Sequence, residues 1–271
     1  MPELPEVETI VRGIQPHIEG QKIKNIVIRQ GKLRWPISTD IDKKLLGKTI
    51  NHISRRAKYL LFNTATGAAA LHLGMSGRLR ILTQFLPPQK HDHFDIEFTN
   101  KVILRFTDPR RFGAFLWIDQ PITLHPLLKN LGPEPLSKCF SGHYLWTGIQ
   151  KRTASIKSLI MNNTIVVGVG NIYATESLFL AKIHPQTPAK NLSLSDCQQL
   201  VKAIKLILRQ AIRQGGTTLK DFADSQGKPG YFSQYLKVYG RTGLPCVSCH
   251  TILQIISIGQ RGSTYCPECQ Q

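Results

Sequence analysis

Four of the six cysteines have the spacing of a metal site. Cys246 and Cys249 enclose two residues, and Cys266 and Cys269 repeat that spacing after sixteen intervening positions. Two such pairs can place four thiolates around one tetrahedral Zn²⁺, with no coordination position left for a reactive water. Two disulfides are the alternative, but nothing else in the sequence indicates an oxidising compartment. The pattern predicts one structural zinc ion, with Arg261 near the tip of the intervening hairpin.

The N-terminus offers a different chemistry. Three acidic residues, Glu3, Glu6 and Glu8, lie within the first eight positions of a very basic chain, and taken alone they are helix-start charges. Removal of Met1 would, however, give Pro2 a free secondary amine, and an α-amino pKa of about 8 leaves an appreciable neutral fraction near pH 7. Such an amine can attack an aldehyde-like sugar carbon and form a cationic iminium, an electron sink for elimination. Glu3 could then shuttle protons.

A glycine turn precedes a predicted helix start at Gly168, Gly170 and Asn171. Tyr173 stands where a dinucleotide fingerprint needs its third glycine, so that motif is incomplete. Backbone N–H groups at such a helix start suit a phosphate oxygen, and a purely structural turn is an equally good interpretation.

The charge of the chain indicates a polyanionic partner. Its 271 residues include 35 Lys and Arg against 17 Asp and Glu, a net charge of +18. Nucleic acid is favoured over mere solubility, because neutralised phosphates release counterions and solubility needs a net charge of only about 2–8. No apolar run reaches the roughly 20 residues that cross a bilayer, and the acidic start does not fit a secretory signal. We expect a soluble, cytoplasmic protein.

The periodicity of the sequence predicts the elements that position these groups. An apolar stripe predicts a helix that begins near Pro5 and contains Val7, Ile10, Val11 and Ile14. Short β segments predict a sandwich or barrel, with strands at 22–29, 58–63, 69–73, 78–82, 94–98, 102–106 and 115–118. Four prolines mark a connection at 120–138.

Helical periodicity follows that connection. Helices are predicted at 171–182 and from a capping box at 193–196 to Gly215 and Gly216. Cys197 lies on the apolar stripe of the second of these helices and is interpreted as a core residue. Cys139 is left without a role.

Seven segments in order along the chain resemble one family. They are PELPEVET at 2–9, RRAKYL at 55–60, HLGMSG at 72–77, DPRRFG at 108–113, VVGVGNIY at 166–173, GGTTLKDF at 215–222 and the four-cysteine finger. With these residues the chain resembles the bacterial formamidopyrimidine-DNA glycosylases over nearly its whole length.

The resemblance implies an α+β fold. An N-terminal β-sandwich catalytic domain with flanking helices is expected at 1–120, a linker at 121–138, a helix-two-turn-helix domain at 139–240 and a zinc finger at 241–271. The implied protein is a monomeric bacterial repair enzyme with one zinc ion, associated with nucleoid DNA. It removes 8-oxoguanine and formamidopyrimidines from double-stranded DNA and cleaves abasic sites by β- and δ-elimination.

The resemblance also assigns roles to single residues. Pro2 corresponds to the nucleophile, which forms a Schiff base, Glu3 to the general acid and base, and Glu6 to a supporting residue. Lys58 and Arg261 are grouped with the catalytic residues as phosphate contacts. The other DNA-binding positions are His72, Met75, His91, Arg110, Phe112, Arg152, Lys157 and Asn171.

Two groups of these residues have a more specific implied role. Met75, Arg110 and Phe112 fill the gap left by a flipped base, with Arg110 facing the opposite cytosine. A loop that closes over the lesion corresponds to positions 217–231 and contains Thr217, Thr218, Lys220 and Tyr231.

Local sequence alone permits other interpretations. Met75 could be a core residue, Phe112 a strand residue and Arg110 part of a solvated turn. His91 and Arg152 could be surface charges, and Lys157 either a surface charge or a lesion contact.

Two other functions are also compatible with the sequence. An endonuclease VIII-like enzyme for oxidised pyrimidines usually has Gly where Leu4 stands here. A non-catalytic zinc-finger DNA-binding protein would share the charge and the cysteines, and only Pro2 and Glu3 distinguish it.

Overall fold

The structure is a computed structural model that describes residues 2–217 and 231–271. The chain divides into two compact units. The first comprises Met1–Lys129 and Gln214–Tyr231, and the second comprises Asn130–Arg213 and Phe232–Gln271. Thus residues 214–217, directly after the last long helix, belong with the N-terminal unit, and not with the helices that precede them.

The first unit is a β-sandwich. Its strands are β1 (Ile23–Ile28), β2 (His52–Arg56), β3 (Tyr59–Asn63), β4 (Gly67–His72), β5 (Arg78–Leu82), β6 (Asp92–Phe98), β7 (Ile103–Thr107) and β8 (Ala114–Asp119). Among the described residues they form two antiparallel sheets, in the orders β1-β6-β7-β5 and β2-β3-β4-β8. All seven predicted strands are confirmed, with ends shifted by at most two residues.

Aromatic side chains fill the space between the two sheets. The ring of Phe94 in β6 lies 5.0 Å from that of Phe106 in β7 and 4.5 Å from that of Phe115 in β8. All three side chains are fully buried. Each such side chain contributes about 1.5–3 kcal/mol through removal of apolar surface from water.

Helix α1 (Leu4–Ile18) covers one side of this sandwich and packs on β2 and β3. The predicted stripe is confirmed, since Val7, Ile10 and Ile14 are buried. Pro5 lies in the first turn, where a missing N–H costs nothing. The helix continues past the predicted stripe to Ile18. A short helix, α2 (Ile41–Leu45), was not predicted.

The second unit consists of helices and a hairpin. Its elements are α3 (Gly142–Ile149), α4 (Ile156–Ile160), α5 (Asn171–Leu180), α6 (Leu194–Arg213), β9 (Gln254–Ile258) and β10 (Arg261–Tyr265). The predicted capping box is confirmed, because Ser193 Oγ accepts from the Asp196 nitrogen at 3.2 Å and Asp196 Oδ2 accepts from the Ser193 nitrogen at 2.9 Å. Cys197 is buried on α6, as predicted, and Cys139 is exposed. Within the described ranges, no helix is long and apolar enough to span a bilayer.

Candidate active site and nucleic-acid interface

Pro2 and Glu3 lie buried at the start of α1, and Glu3 is its N-cap residue. Glu6, in the first turn, is also buried and turns back toward the chain start. Its Oε2 accepts a hydrogen bond from the Glu3 nitrogen at 2.8 Å, and its Oε1 accepts from the Thr217 nitrogen at 2.8 Å. The carboxylate of Glu6 therefore fixes the backbone next to Pro2 and binds the segment that begins the predicted lesion loop.

The predicted lesion loop is described only at its two ends. Thr217 and Tyr231 form an isolated antiparallel bridge, and the Tyr231 nitrogen donates to the Gln214 carbonyl at 3.0 Å. Thr218 and Lys220 lie outside the described residues.

Lys58 and His72 are neighbours where β3 begins and β4 ends. Lys58 lies in the two-residue turn between β2 and β3, and His72 ends β4 opposite Tyr59. His72 Nδ1 accepts a hydrogen bond from the Gly74 nitrogen at 3.0 Å, so the proton of the neutral ring is on Nε2. Burial, with the nearby charges of Lys58 and Arg34, lowers the pKa of His72 to about 4. This imidazole is a neutral hydrogen-bond donor at pH 7.

Met75 and Phe112 are large apolar residues on exposed loops, with 37% and 42% of their surface accessible. Met75 is therefore not a core residue, and Phe112 precedes β8 and is not in a strand. The guanidinium of Arg110 lies over the Phe112 ring, 4.8 Å from its centroid. These three residues offer an apolar and cationic surface to a flat partner such as a base.

A buried carboxylate joins the two loops that carry this surface. Asp108 accepts hydrogen bonds from Ser76 Oγ at 2.6 Å and from the Gly113 nitrogen at 2.8 Å. Ser76 Oγ in turn accepts from the Arg110 nitrogen at 3.2 Å. Gly74, at φ +65°, approaches Phe112 so closely that a Cβ would lie 2.3 Å from its carbonyl carbon. Sequence reasoning missed Ser76 and Asp108, although both lie within the quoted motifs.

His91 lines a cavity of about 510 Å³ in the first unit, together with the cationic side chains of Arg29, Lys90 and Arg111. Arg111 has φ +55°, and it lines this cavity, whereas its neighbour Arg110 stacks on Phe112. His91 is thus part of a basic cavity.

Lys157 and Asn171 meet the hairpin of the second unit. Lys157 is only 1% exposed, so it is not a surface charge, and its Nζ donates to Ser263 Oγ at 2.7 Å. Asn171 Nδ2 donates to the Gly262 carbonyl at 3.1 Å. Arg261, just before these two hairpin residues, is exposed. The second unit therefore gathers Lys157, Asn171 and Arg261 at the start of β10.

Arg152 stands apart from the hairpin contacts given above. Its side chain is exposed, and its Nε donates to the Gly148 carbonyl at 3.1 Å in α3.

The four predicted zinc ligands form one cluster. The Sγ atoms of Cys246, Cys249, Cys266 and Cys269 all lie within 4.8 Å of one another. The closest described pairs are 3.4 Å and 3.9 Å apart, far from the roughly 2.05 Å of a disulfide. Tetrahedral Zn–S bonds of about 2.3 Å would separate the sulfurs by about 3.8 Å. The cluster therefore fits zinc, and the disulfide alternative is wrong.

Comparisons with known proteins agree with this arrangement along the whole chain. Family models match for the formamidopyrimidine-DNA glycosylase N-terminal domain at residues 1–115 and H2TH domain at 131–223. A third, described as a zinc finger found in FPG and IleRS, matches 243–271 and, with the cysteine cluster, establishes one structural zinc site.

Relatives and solved structures support the same conclusion. Formamidopyrimidine-DNA glycosylases of Hydrogenovibrio crunogenus and Escherichia coli are 54% and 53% identical, over all of this chain and 97% and 100% of theirs. A Lactococcus lactis FPG mutant in complex with Fapy-dG DNA is 37% identical, with a TM-score of 0.92 and full coverage of both chains. The L. lactis enzyme with abasic-site DNA has a TM-score of 0.91 at 38% identity and 99% coverage of both. The chain belongs to the formamidopyrimidine-DNA glycosylase family.

Proposed function

We propose that this chain is a bifunctional repair enzyme that excises oxidised purines from double-stranded DNA and then cleaves the abasic strand. The observation that carries the proposal is the buried Pro2–Glu3 pair at the start of α1, held by Glu6. Family membership supports the same reaction, since related structures contain Fapy-dG and abasic-site DNA. The reaction takes place in the bacterial cytoplasm, where nucleoid DNA is the substrate.

Pro2 is the proposed nucleophile once Met1 has been removed. Its nitrogen forms a bond to the sugar C1′ as the glycosidic bond breaks, and the base leaves with a proton. The amine proton is then lost, and the nitrogen lone pair expels the ring oxygen O4′, which takes up a proton as the sugar ring opens to an iminium. This iminium has no N–H to lose, so it stays cationic and acidifies C2′. Loss of a C2′ proton expels the 3′ phosphate, and a second elimination expels the 5′ phosphate. Glu3 carries protons in these steps.

The phosphate contacts come from both units. Lys58 supplies a charged donor and His72 a neutral Nε2–H donor, and both can bind phosphate oxygens. In the second unit, Arg261 and Asn171 provide donors around the start of β10, and the buried Lys157 holds this region through Ser263 Oγ. His91 and Arg152 are proposed as further DNA contacts, which the net charge of +18 favours.

The exposed loop residues have a proposed role in base flipping. A glycosylase must take its target base out of the stack, at a cost of a few kcal/mol, and then keep the gap open. Met75 and Phe112 are apolar wedges for that gap, and Arg110 can donate two hydrogen bonds to the edge of the opposite cytosine. Thr217, Thr218, Lys220 and Tyr231 belong to the segment proposed to enclose the lesion.

Borohydride trapping on an 8-oxoguanine duplex tests this function. Reduction of the iminium should give a covalent protein–DNA complex, and mass spectrometry should find the DNA remnant on Pro2. Retention of Met1 should abolish trapping, because an amide nitrogen has no available lone pair. A remnant on an internal lysine such as Lys58 or Lys157 would overturn the mechanism, and the absence of any trapped complex would favour a non-catalytic DNA-binding protein.

An oxidised-pyrimidine duplex distinguishes the endonuclease VIII-like alternative. Leu4 and the DPRRFG segment favour the purine substrate, so excision should be faster from the 8-oxoguanine duplex. Faster excision from the pyrimidine duplex would reverse the substrate assignment and leave the chemistry of Pro2 intact.

A further inference from the structure

Arg55, in β2, connects helix α1 to the turn that carries Lys58. Its Nε donates to Glu8 Oε2 in α1 at 3.0 Å, and its Nη1 donates to the Ala57 carbonyl at 2.9 Å. The Arg55 side chain is about 10% exposed, so these bonds are well shielded from water. One guanidinium therefore contacts both the helix that begins beside Pro2 and the residue that precedes Lys58.

The turn requires such support. Arg56 pairs with Tyr59 across the hairpin, which leaves Ala57 and Lys58 as the two turn residues. Ala57 has φ +54°, a conformation that costs a residue with a Cβ free energy. A hydrogen bond from Arg55 to the carbonyl of Ala57 stabilises this conformation at the peptide that leads directly into Lys58.

The helix end of the connection is an ion pair. Burial would raise the pKa of Glu8, but hydrogen bonds from Arg55 and Arg12 outweigh it and hold the pKa below its usual value. Glu8 is therefore charged at neutral pH. Arg12 Nε lies 2.9 Å from Glu8 Oε1, and the Arg12 side chain is mostly exposed. Both arginines therefore bind the Glu8 carboxylate, and of these two residues it is Arg55 that also donates to the turn, at the Ala57 carbonyl.

We propose that Arg55 is a positioning residue, which holds the Lys58 turn on α1 and so fixes where Lys58 places a DNA phosphate relative to the Pro2 nitrogen. The inference rests on the proposed roles of Pro2 and Lys58. A guanidinium suits this task because its planar fork donates to two acceptors in a fixed geometry, which an ammonium on a flexible stem cannot do. Displacement of a reacting group by about 1 Å can reduce a rate by as much as 100-fold.

The test compares Arg55→Ala, Arg55→Lys, Lys58→Ala and the Arg55→Ala/Lys58→Ala double variant with the wild type. Binding to a duplex with a tetrahydrofuran abasic analogue is measured over a series of salt concentrations. Arg55→Ala and Lys58→Ala should each reduce the slope of log Kd against log salt by about one ion. The slope of the double variant should be reduced by no more than that of either single variant. The fold-loss of affinity in the double variant should be smaller than the product of the two single fold-losses, by a factor of about three or more.

A second readout follows the chemistry at saturating DNA. The rate of borohydride trapping on a natural abasic site should fall about tenfold or more in Arg55→Ala, because the sugar is displaced from Pro2. Arg55→Lys keeps the charge but not both hydrogen bonds, so it should resemble Arg55→Ala. Arg12→Ala is the matched control, since it removes the other arginine from Glu8, and it should trap at the wild-type rate.

Specific results overturn the inference. Additive losses for Arg55 and Lys58 in folded variants would show that the two residues act independently. Wild-type binding and trapping by Arg55→Lys would show that only the charge matters, and this variant decides the test if Arg55→Ala does not fold. If the wild type is trapped at Pro2 and Lys58→Ala lowers the salt slope, a failure of coupling removes this inference alone. If Lys58→Ala leaves the slope unchanged, the proposed phosphate contact and this inference fail together.

Discussion

Glu6 accepts a hydrogen bond from the backbone nitrogen of Thr217 at 2.8 Å, although the two residues are 211 positions apart in the chain. The other oxygen of the same carboxylate binds the Glu3 nitrogen, also at 2.8 Å. A fully buried carboxylate that accepts two backbone N–H bonds orders both segments at once. The residue that follows the proposed nucleophile and the start of the proposed lesion loop thereby both depend on the first turn of one helix.

Glu6→Gln should separate this positioning from the burial of the side chain. The amide nitrogen of Gln cannot accept a hydrogen bond, so either the Glu3 or the Thr217 nitrogen loses its partner. We expect the free energy of unfolding to fall by about 1.5–3 kcal/mol and single-turnover excision of 8-oxoguanine to slow by about tenfold or more. Glu97→Gln, on the surface, is the control. Wild-type excision by Glu6→Gln would argue against a supporting role.

Gly216→Ala probes the same contact from the opposite side. Gly216 has φ +81°, and a Cβ there would lie 2.9 Å from Glu6 Oε1. Gly20→Ala is a matched control, because Gly20 has φ +76° and a Cβ there meets nothing within 4 Å. In both variants the left-handed backbone should lower the free energy of unfolding by about 1–2 kcal/mol, measured with urea, but only Gly216→Ala should slow excision. Equal excision rates would contradict the importance of the Glu6–Thr217 contact.

Phe112→Ala should affect lesion excision more than abasic-site cleavage. An abasic site has no base to unstack, so it depends less on a wedge. We expect the ratio of the 8-oxoguanine excision rate to the abasic-site cleavage rate to fall by about tenfold. This corresponds to the loss of an apolar contact that contributes about 1–2 kcal/mol. Phe85→Ala, an exposed phenylalanine outside this surface, should leave the ratio unchanged. Arg110→Ala should weaken the preference for cytosine opposite the lesion, and an unchanged preference would remove that role.

Cys249→Ser should release the zinc ion and weaken DNA binding. The binding energy of a structural zinc ion is largely folding energy, so the hairpin that carries Arg261 should lose its structure. Metal content and DNA affinity measure the two effects, and Cys139→Ser is the control because this exposed cysteine lies outside the cluster. Arg261→Ala alone should keep the metal and reduce the salt slope of binding by about one ion. Normal lesion binding by metal-free protein would contradict this account.

Local patterns in the sequence predict most of the elements but not the contacts that join them. The strands, the α1 stripe and the cysteine spacing are patterns of residues that lie close together in the sequence, and the structure confirms all three. Strand β2 was not predicted, because its sequence HISRR has no run of apolar or alternating residues and its burial comes from β3 and α1. The five-residue α2 is too short to show a period.

The support of the candidate site was harder to predict for a related reason. The Asp108–Ser76 and Arg55–Glu8 bonds join residues 32 and 47 positions apart. A sequence pattern identifies such residues as polar but does not indicate which partner each will meet. Likewise, the sequence does not indicate the positive φ of Arg111, which turns its side chain away from that of Arg110. This conformation accompanies closure of the loop on Asp108, whose carbonyl accepts a hydrogen bond from the Arg111 nitrogen at 3.2 Å.

His72 should make the stability of the protein depend on pH in a specific range. Burial, with the charges of Lys58 and Arg34, lowers its pKa to about 4 in the folded state, against about 6.5 in the unfolded chain. Between these values the unfolded chain binds a proton that the folded protein does not. Stability from the neutral ring is therefore complete above about pH 6.5 and is lost as the pH falls toward 4, by about 2–3 kcal/mol near pH 4.5.

His72→Gln isolates this effect, because glutamine does not titrate. Urea unfolding near pH 7 and near pH 4.5 should show that the wild type loses about 2–3 kcal/mol more than the variant over this range. His52→Gln, at an exposed position in β2, is the control for the substitution itself. Equal losses in the wild type and in His72→Gln would show that the ring takes up a proton as readily in the folded protein as in the unfolded chain. The ring would then carry a charge in about half of the folded molecules near pH 6.5, so the phosphate contact proposed for a neutral Nε2–H donor at His72 would be shared with the charged imidazolium.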